Sequence, residues 1–167
     1  MSKRNLELLQ VVRKIADYQF GKGAGDKLFP DDVNFIVSKK TGRIRQVMEG
    51  GKLIATVNPL SGLLNLTIEG ARRLAAGNKI RSGWVKIRDE VASYVERGSN
   101  VFAKHVVDAD DEIRPMEEVI VFNSHNEVIA VGKAILSGIE MHHFTRGVAV
   151  KVRRGRLEKT KKEKDTK

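Results

Sequence analysis

Cysteine is absent from the 167 residues, which removes disulfides, thiolate zinc sites, iron–sulfur clusters and cysteine nucleophiles together. Long apolar runs are absent as well: no stretch approaches the roughly 20 residues of a membrane span, and residues 1–10 are too polar for a secretory signal. The expected setting is soluble and cytoplasmic, with no membrane partner. No Gly-x-Ser-x-Gly occurs, so a serine-hydrolase elbow is missing. The four histidines build no metal site: His142 and His143 are adjacent and cannot easily converge from a strand, no acidic partner stands at ligand spacing, and His105 and His125 are isolated. Asp110-Asp111 and Glu117-Glu118 lie in turn-like surroundings, where neighbouring acids are ordinarily solvated. With no nucleophile, metal or cofactor constellation, the chain is expected to be non-catalytic and to need no cofactor.

Phe20-Gly21-Lys22-Gly23-Ala24-Gly25-Asp26 invites a phosphate-loop reading and fails it. The stretch lacks a closing Gly-Lys-Ser/Thr, follows a helix instead of a strand, and places Asp26 where a dinucleotide fingerprint needs its third glycine. What remains is a flexible turn that could bring backbone amides and Lys22 to a phosphate.

What the chain does have is positive charge. Hydrophobic content of 41% with 31% charged residues is that of a globular protein, and a net charge of +10 with a pI near 9.9 implies attraction to a polyanion. Residues 1–77 carry 13 Lys and Arg against 7 Asp and Glu, residues 78–154 carry 12 against 11, and residues 155–167 carry 6 against 3. The middle segment is nearly neutral because Asp108, Asp110, Asp111, Glu112, Glu117 and Glu118 crowd one stretch, while Lys151, Arg153 and Arg154 crowd its end. A neutral domain with one basic face is therefore possible.

Hydrophobic periodicity divides the chain. After Asn5 as a candidate N-cap, Leu8, Val11, Val12 and Ile15 recur at helical spacing, which predicts an amphipathic helix ending near Gly21 with this stripe in the core. Short β-type runs at 35–37, 44–48, 53–57 and 63–66 are joined by connections too short for parallel crossovers, so they read as antiparallel hairpins, and a helix follows over 68–76 behind Thr67. The first half is an α+β domain, an antiparallel meander with two helices. The second half restarts with a strand at 84–87, an amphipathic helix ending at Gly98, and β-runs at 99–107, 119–122, 128–136 and 148–152, the pattern of a small mainly-β barrel. Two modules of this size sit near the lower limit for independent cores, so they are expected to pack on each other. The tail, with Leu157 alone among charges, reads as disordered from Arg156 onward.

Two basic sites stand out. Arg43 and Arg45 are two apart in a strand leaving the Thr41-Gly42 turn and project to one face. In the last strand Val148, Val150 and Val152 face one way while Lys151 and Arg153 face the other, so charge reversal at Lys151 and Arg153 is expected to spare the core.

Trp84-Val85-Lys86-Ile87, the run from Val95 through Arg97-Gly98-Ser99 to Val106, Val119-Ile120-Val121-Phe122-Asn123, Val131-Gly132-Lys133-Ala134 and Gly147-Val148-Ala149-Val150-Lys151-Val152-Arg153 occur in the order found in PUA domains, and residues 78–154 closely resemble that family. The resemblance implies a pseudobarrel that binds structured RNA through the helix, the glycine loop after it and the last strand, and so implicates Arg97, Gly98, Ser99, Lys104, Lys151, Arg153 and Arg154. Residues 1–77, through Ala16-Asp17-Tyr18-Gln19-Phe20-Gly21, Ser38-Lys39-Lys40-Thr41-Gly42-Arg43-Ile44-Arg45 and Gly62-Leu63-Leu64-Asn65-Leu66-Thr67, resemble the domain preceding PUA in archaeal tRNA-guanine transglycosylase, the archaeosine enzyme. In that family these accessory domains hold tRNA while a separate barrel exchanges the base. The barrel, its catalytic aspartates and its zinc ligands have no counterpart in the 167 residues. The resemblance implies an archaeal source, and low Gln with no Cys fits a thermophile. The expected partner is tRNA, gripped at its acceptor region, or another structured RNA, with Arg43, Arg45 and Lys22 as further contacts. Alternatives are an accessory subunit of a split transglycosylase or archaeosine-forming enzyme, active only with a tRNA-modifying partner, and a ribosome-associated factor.

Overall fold

In the computed structural model, which describes residues 2–77 and 82–159, the first helix starts on a serine rather than on Asn5. Ser2 Oγ accepts the Asn5 backbone N–H at 3.1 Å and caps α1 (Lys3–Phe20), satisfying an amide that a helix start leaves open. Leu9, Val12, Ala16 and Phe20 are its buried residues. The expected stripe therefore enters the core only at Val12: Leu8 and Ile15 are half-buried and Val11 is 48% exposed. The two sets are offset by one residue, a rotation of about 100°, and both are apolar. Periodicity alone could not choose between them.

The glycine-rich stretch after α1 is a helix junction. Gly23 at φ +94 introduces a short helix not expected from the sequence, α2 (Ala24–Leu28). Gly25 lies so close to Arg13 of α1 that a Cβ there would collide with the Arg13 backbone, and the Asp17 carboxylate accepts the Gly25 N–H at 2.7 Å. Here glycine permits close helix packing.

Four strands follow as an antiparallel meander in chain order: β1 (Asn34–Val37), β2 (Ile44–Glu49), β3 (Lys52–Val57) and β4 (Leu64–Leu66). Thr67 caps α3 (Ile68–Ala75) through its Oγ1, which accepts the Gly70 N–H at 3.1 Å while donating to the β3 carbonyls. A Cβ on Gly70 would meet the Ile54 carbonyl, so α3 lies flush on β3. Phe29, Val47, Ile54, Leu64 and Leu66 are fully buried between the layers. These elements form one of two units, Met1–Ser82, and the second is Gly83–Lys167. A boundary at residue 78 lies outside the described residues.

In the second unit, β5 (Trp84–Ile87) leads to α4 (Asp89–Val95), β6 (Val101–Phe102), a 3-10 turn (Ala103–His105) and β7 (Val106–Ala109). Then come β8 (Glu118–Phe122), β9 (Val128–Ala134), α5 (Gly138–His143) and β10 (Val148–Gly155). The sheet order is β6-β10-β9-β8-β5-β7, with β5 and β8 parallel and the remaining pairs antiparallel. The single run expected at 99–107 is thus two strands at opposite edges of one sheet. One short turn joins those edges, so the sheet curls into a nearly closed pseudobarrel around Val85, Ile87, Val101, Val119, Val121 and Ile129.

Two further expectations change here. His142 and His143 lie on α5, not on a strand, and His142 Nε2 stands 3.1 Å from both the Ala109 carbonyl and an Asp111 oxygen. Acidic partners were not visible from spacing because the chain folds back to supply them; among the described residues no group of three or more His, Asp or Glu could hold a metal. The tail, too, is ordered at its start. The Leu157 N–H donates to the Glu96 carbonyl at 2.7 Å, and the Arg156 guanidinium donates to the Glu96 carboxylate at 2.8 Å with Glu127 3.5 Å away. Alternating charges that suggest disorder in isolation find opposite charges on the barrel, and residues 160–167 lie outside the described residues. Among the described residues no helix is long and apolar enough to cross a membrane.

Candidate nucleic-acid interface

The end of β10 packs directly against the turn after α4. Gly98, at φ +109, follows the helix, and a Cβ on Gly155 would meet the Glu96 carbonyl and the Gly98 amide, so two backbones meet where side chains would hold them apart. Asn100 Oδ1 accepts the Val152 N–H at 2.9 Å, tying the loop to the strand. Arg97, Ser99 and Lys151 are exposed beside this junction, and Arg154 lies there half-buried. Lys104 is exposed at the other end, in the 3-10 turn after β6, whose Phe102 pairs with Val148 at the start of β10.

Arg153 is not the free cation its alternation suggested. Its guanidinium reaches across β9 and grips both oxygens of Glu118 on β8, one at 2.7 Å, and the Glu118 side chain is 2% exposed. The strand also bulges between Val148 and Val150 and between Val152 and Arg154, so strict alternation breaks and both Ala149 and Val150 are buried. Charge reversal at Arg153 would strand a buried carboxylate, contrary to the expectation that it spares the core. Arg154 is likewise engaged, donating to the Glu158 carbonyl at 2.9 Å with the Glu158 carboxylate 3.6 Å away.

Register supplies a residue that sequence reasoning missed. Lys133 on β9 stands directly opposite Lys151 on β10 and opposite Glu118 on β8. Side chains paired in this way share a face, and like charges directly opposite are unfavourable without an anion. Glu118, Lys133, Lys151 and Arg153 thus place three cations and one carboxylate together. Only the β8–β9–β10 register reveals the row; no spacing in the sequence does.

Three carboxylates of this unit sit below their ordinary values. The Ser124 hydroxyl, donating at 2.8 Å, lowers Asp89; the Asn123 amide and then the Arg156 charge lower Glu127; the Ser137 backbone N–H lowers Glu140 in a capping box. All three remain anionic at neutral pH and reinforce turns, so they contribute no acid–base group.

In the first unit, Arg43 and Arg45 are both exposed, Arg43 in the turn before β2 with its guanidinium 3.5 Å from the Pro59 carbonyl. They line a groove of about 630 Å³ together with Lys40 and with Leu8, Val11 and Ile15 of α1. Lys22, exposed in the turn after α1, is not part of that lining.

A nearly closed mixed sheet with a glycine loop packed on its last strand defines a PUA fold, and residues 83–156 match the PUA domain family while residues 10–79 match patch-forming domain C2 of tRNA-guanine transglycosylase. The chain is a PUA-domain protein with a C2-type domain ahead of the PUA domain. It is similar to the tRNA-guanine(15) transglycosylase of Methanothermobacter thermautotrophicus, 44% identical over 147 residues that cover 88% of this chain and 22% of that protein. The enzyme of the same name from Thermococcus kodakarensis is 44% identical over 149 residues, 89% of this chain and 25% of that protein. The chain spans about a quarter of the length of these curated relatives. A hypothetical protein from the hyperthermophilic archaeon Pyrococcus horikoshii shares the fold over 100% of this chain and 98% of its own, with a TM-score of 0.74 at 20% identity. A conserved PUA domain protein from Thermoplasma acidophilum does so over 99% and 96%, with a TM-score of 0.66 at 20% identity.

Proposed function

We propose that this chain binds RNA, and specifically the acceptor region of tRNA, as a non-catalytic cytoplasmic module in tRNA modification. The observation that carries the reading is the Lys133–Lys151 cross-strand pair beside the Gly98 loop. A like-charge pair on a curved sheet suits a phosphate chain of fixed shape, and phosphate contacts set register without reading bases, while Gly98 serves to pack the loop against Gly155 and the Glu158 side chain. Arg97, Ser99 and Lys104 extend the surface, and base reading falls to unpaired ends. The relatives named above support tRNA as the RNA, since the activity they are named for is exercised on it.

The test is a titration of the full chain against an unmodified tRNA, its acceptor minihelix and its anticodon stem-loop at one salt concentration. The minihelix should retain affinity within about tenfold of whole tRNA, and the stem-loop should bind far more weakly, because the acceptor's shape and unpaired end are recognised, whereas phosphate attraction alone would bind both alike. Equal binding of both fragments would overturn the acceptor assignment. The accessory-subunit reading is favoured by the 44% identity to one portion of a larger enzyme; base exchange that appears only when a barrel-bearing enzyme is added would establish it. Turnover by the purified chain alone, lost on a single substitution, would overturn the non-catalytic assignment.

A further inference from the structure

Helix α1 is apolar on two faces, and its own unit covers only one. Leu9, Val12, Ala16 and Phe20 are buried, whereas Leu8, Val11 and Ile15 line the groove and leave Val11 48% exposed. A surface helix ordinarily turns polar residues outward at such positions. Lys40, Arg43 and Arg45 line the same groove, Arg4 reaches Gly42 at its wall, and no carboxylate residue belongs to the lining. Among the described residues no ion pair engages Lys40, Arg43 or Arg45. The groove thus joins an aliphatic floor to uncompensated positive charge.

We propose that this groove docks an acidic amphipathic helix of a partner protein, with the partner's apolar stripe on Leu8, Val11 and Ile15 and its carboxylates on Lys40, Arg43 and Arg45. Charge sets the sign of the occupant: residues 155–167, with 6 Lys and Arg against 3 Asp and Glu, are of the wrong sign to fill it. The floor sets the class. Unpaired bases stack on aromatic rings, and no aromatic residue lines the groove. Aliphatic side chains spaced three and four apart on a helix are instead matched by the aliphatic stripe of another helix. The proposal goes beyond the RNA reading and uses a surface of the other unit.

The absence of cysteine makes the test direct, since Lys14→Cys, on an exposed turn of α1, gives one attachment point for an environment-sensitive dye on the full chain. The probe is a synthetic helical peptide of about five turns with leucines along one face and glutamates on the other. Its controls are a scrambled peptide of the same composition and a version with lysine for glutamate. The glutamate peptide should give a saturable signal and bind at least about tenfold more tightly than either control. Val11→Asp should abolish that signal while the protein keeps a cooperative melt. Arg43→Glu with Arg45→Glu should reverse the preference toward the lysine peptide, a gain that a misfolded variant cannot produce. Equal response to the scrambled peptide, or an unreversed preference, would overturn the proposal. So would displacement of the glutamate peptide by an unpaired oligouridine, which would assign the groove to RNA. Failure of the unmodified chain to bind tRNA would overturn only the RNA reading.

Discussion

The two units hold their positive charge in opposite ways. In the second unit the arginines at the end of β10 are tied down: Arg153 to Glu118, Arg154 to Glu158, Arg156 to Glu96 and Glu127. Lys133 and Lys151 remain as an opposed pair beside them. In the first unit the half-buried arginines are the paired ones, Arg13 with Asp26 and Asp31 and Arg73 with Glu49 and Glu69, while the cations at the groove have no ion pair among the described residues. A count of Lys and Arg therefore overstates the charge available to a ligand in the PUA domain and locates it poorly in the C2-type domain. On the proposed reading, phosphate binding falls to the lysine pair and the groove is left to the acidic partner.

The sharpest way to break this comparison is to exchange neighbouring valines on α1. Val12→Asp buries an unpaired carboxylate in the core and should cost about 4 kcal/mol or more, whereas Val11→Asp, on the groove side, should stay within about 0.5 kcal/mol. Denaturant midpoints measure both; equal losses would show that Val11 also belongs to the core. Next in size is the tie across the barrel. Arg153→Ala leaves the Glu118 carboxylate, 2% exposed, without that guanidinium and should cost about 3 kcal/mol. A midpoint shift below a quarter of that would mean that the pair adds little to the fold and need not hold the Arg153 charge away from a ligand.

The smallest effect concerns acid. The Glu140 carboxyl lies below its ordinary value of 4.5 because the folded state donates the Ser137 N–H to it. A lowered folded pKa contributes stability that is present above 4.5 and is lost as the pH falls through the folded value. Glu140→Gln, which mimics the protonated carboxyl, should therefore lower the neutral plateau of a melting-temperature profile slightly and flatten its acid limb, leaving the most acidic values unchanged. An unaltered acid limb would mean that the capping box plays no part in acid sensitivity.

How much of this was legible in the sequence depended on range. The meander of the first unit followed from connections of a few residues between β-type runs, and the PUA resemblance rested on stretches whose order survives without coordinates. Three features were not legible. The face of α1 was ambiguous because Leu8, Val11 and Ile15 repeat the spacing of Leu9, Val12 and Ala16 one residue earlier. The run at 99–107 read as one strand because nothing local says that its halves pair with β10 and β5 at opposite edges. The partner of Arg153 lies 35 residues away on a strand not adjacent to its own, and only register brings it there. The site suffered most, since local alternation identified Lys151 correctly as exposed and gave no hint of Lys133.

The central claim is the division of labour between the two basic surfaces, and one paired measurement tests it most directly: tRNA affinity as a function of salt for two charge-reversed proteins. Lys133→Glu with Lys151→Glu should weaken binding and lower the slope of log affinity against log salt by about one unit for each phosphate no longer engaged. Arg43→Glu with Arg45→Glu should leave affinity within about twofold, a shift of roughly 0.4 kcal/mol, and the slope unchanged. The opposite outcome, an intact slope in the first protein and a reduced one in the second, would contradict the account and move the RNA onto the groove.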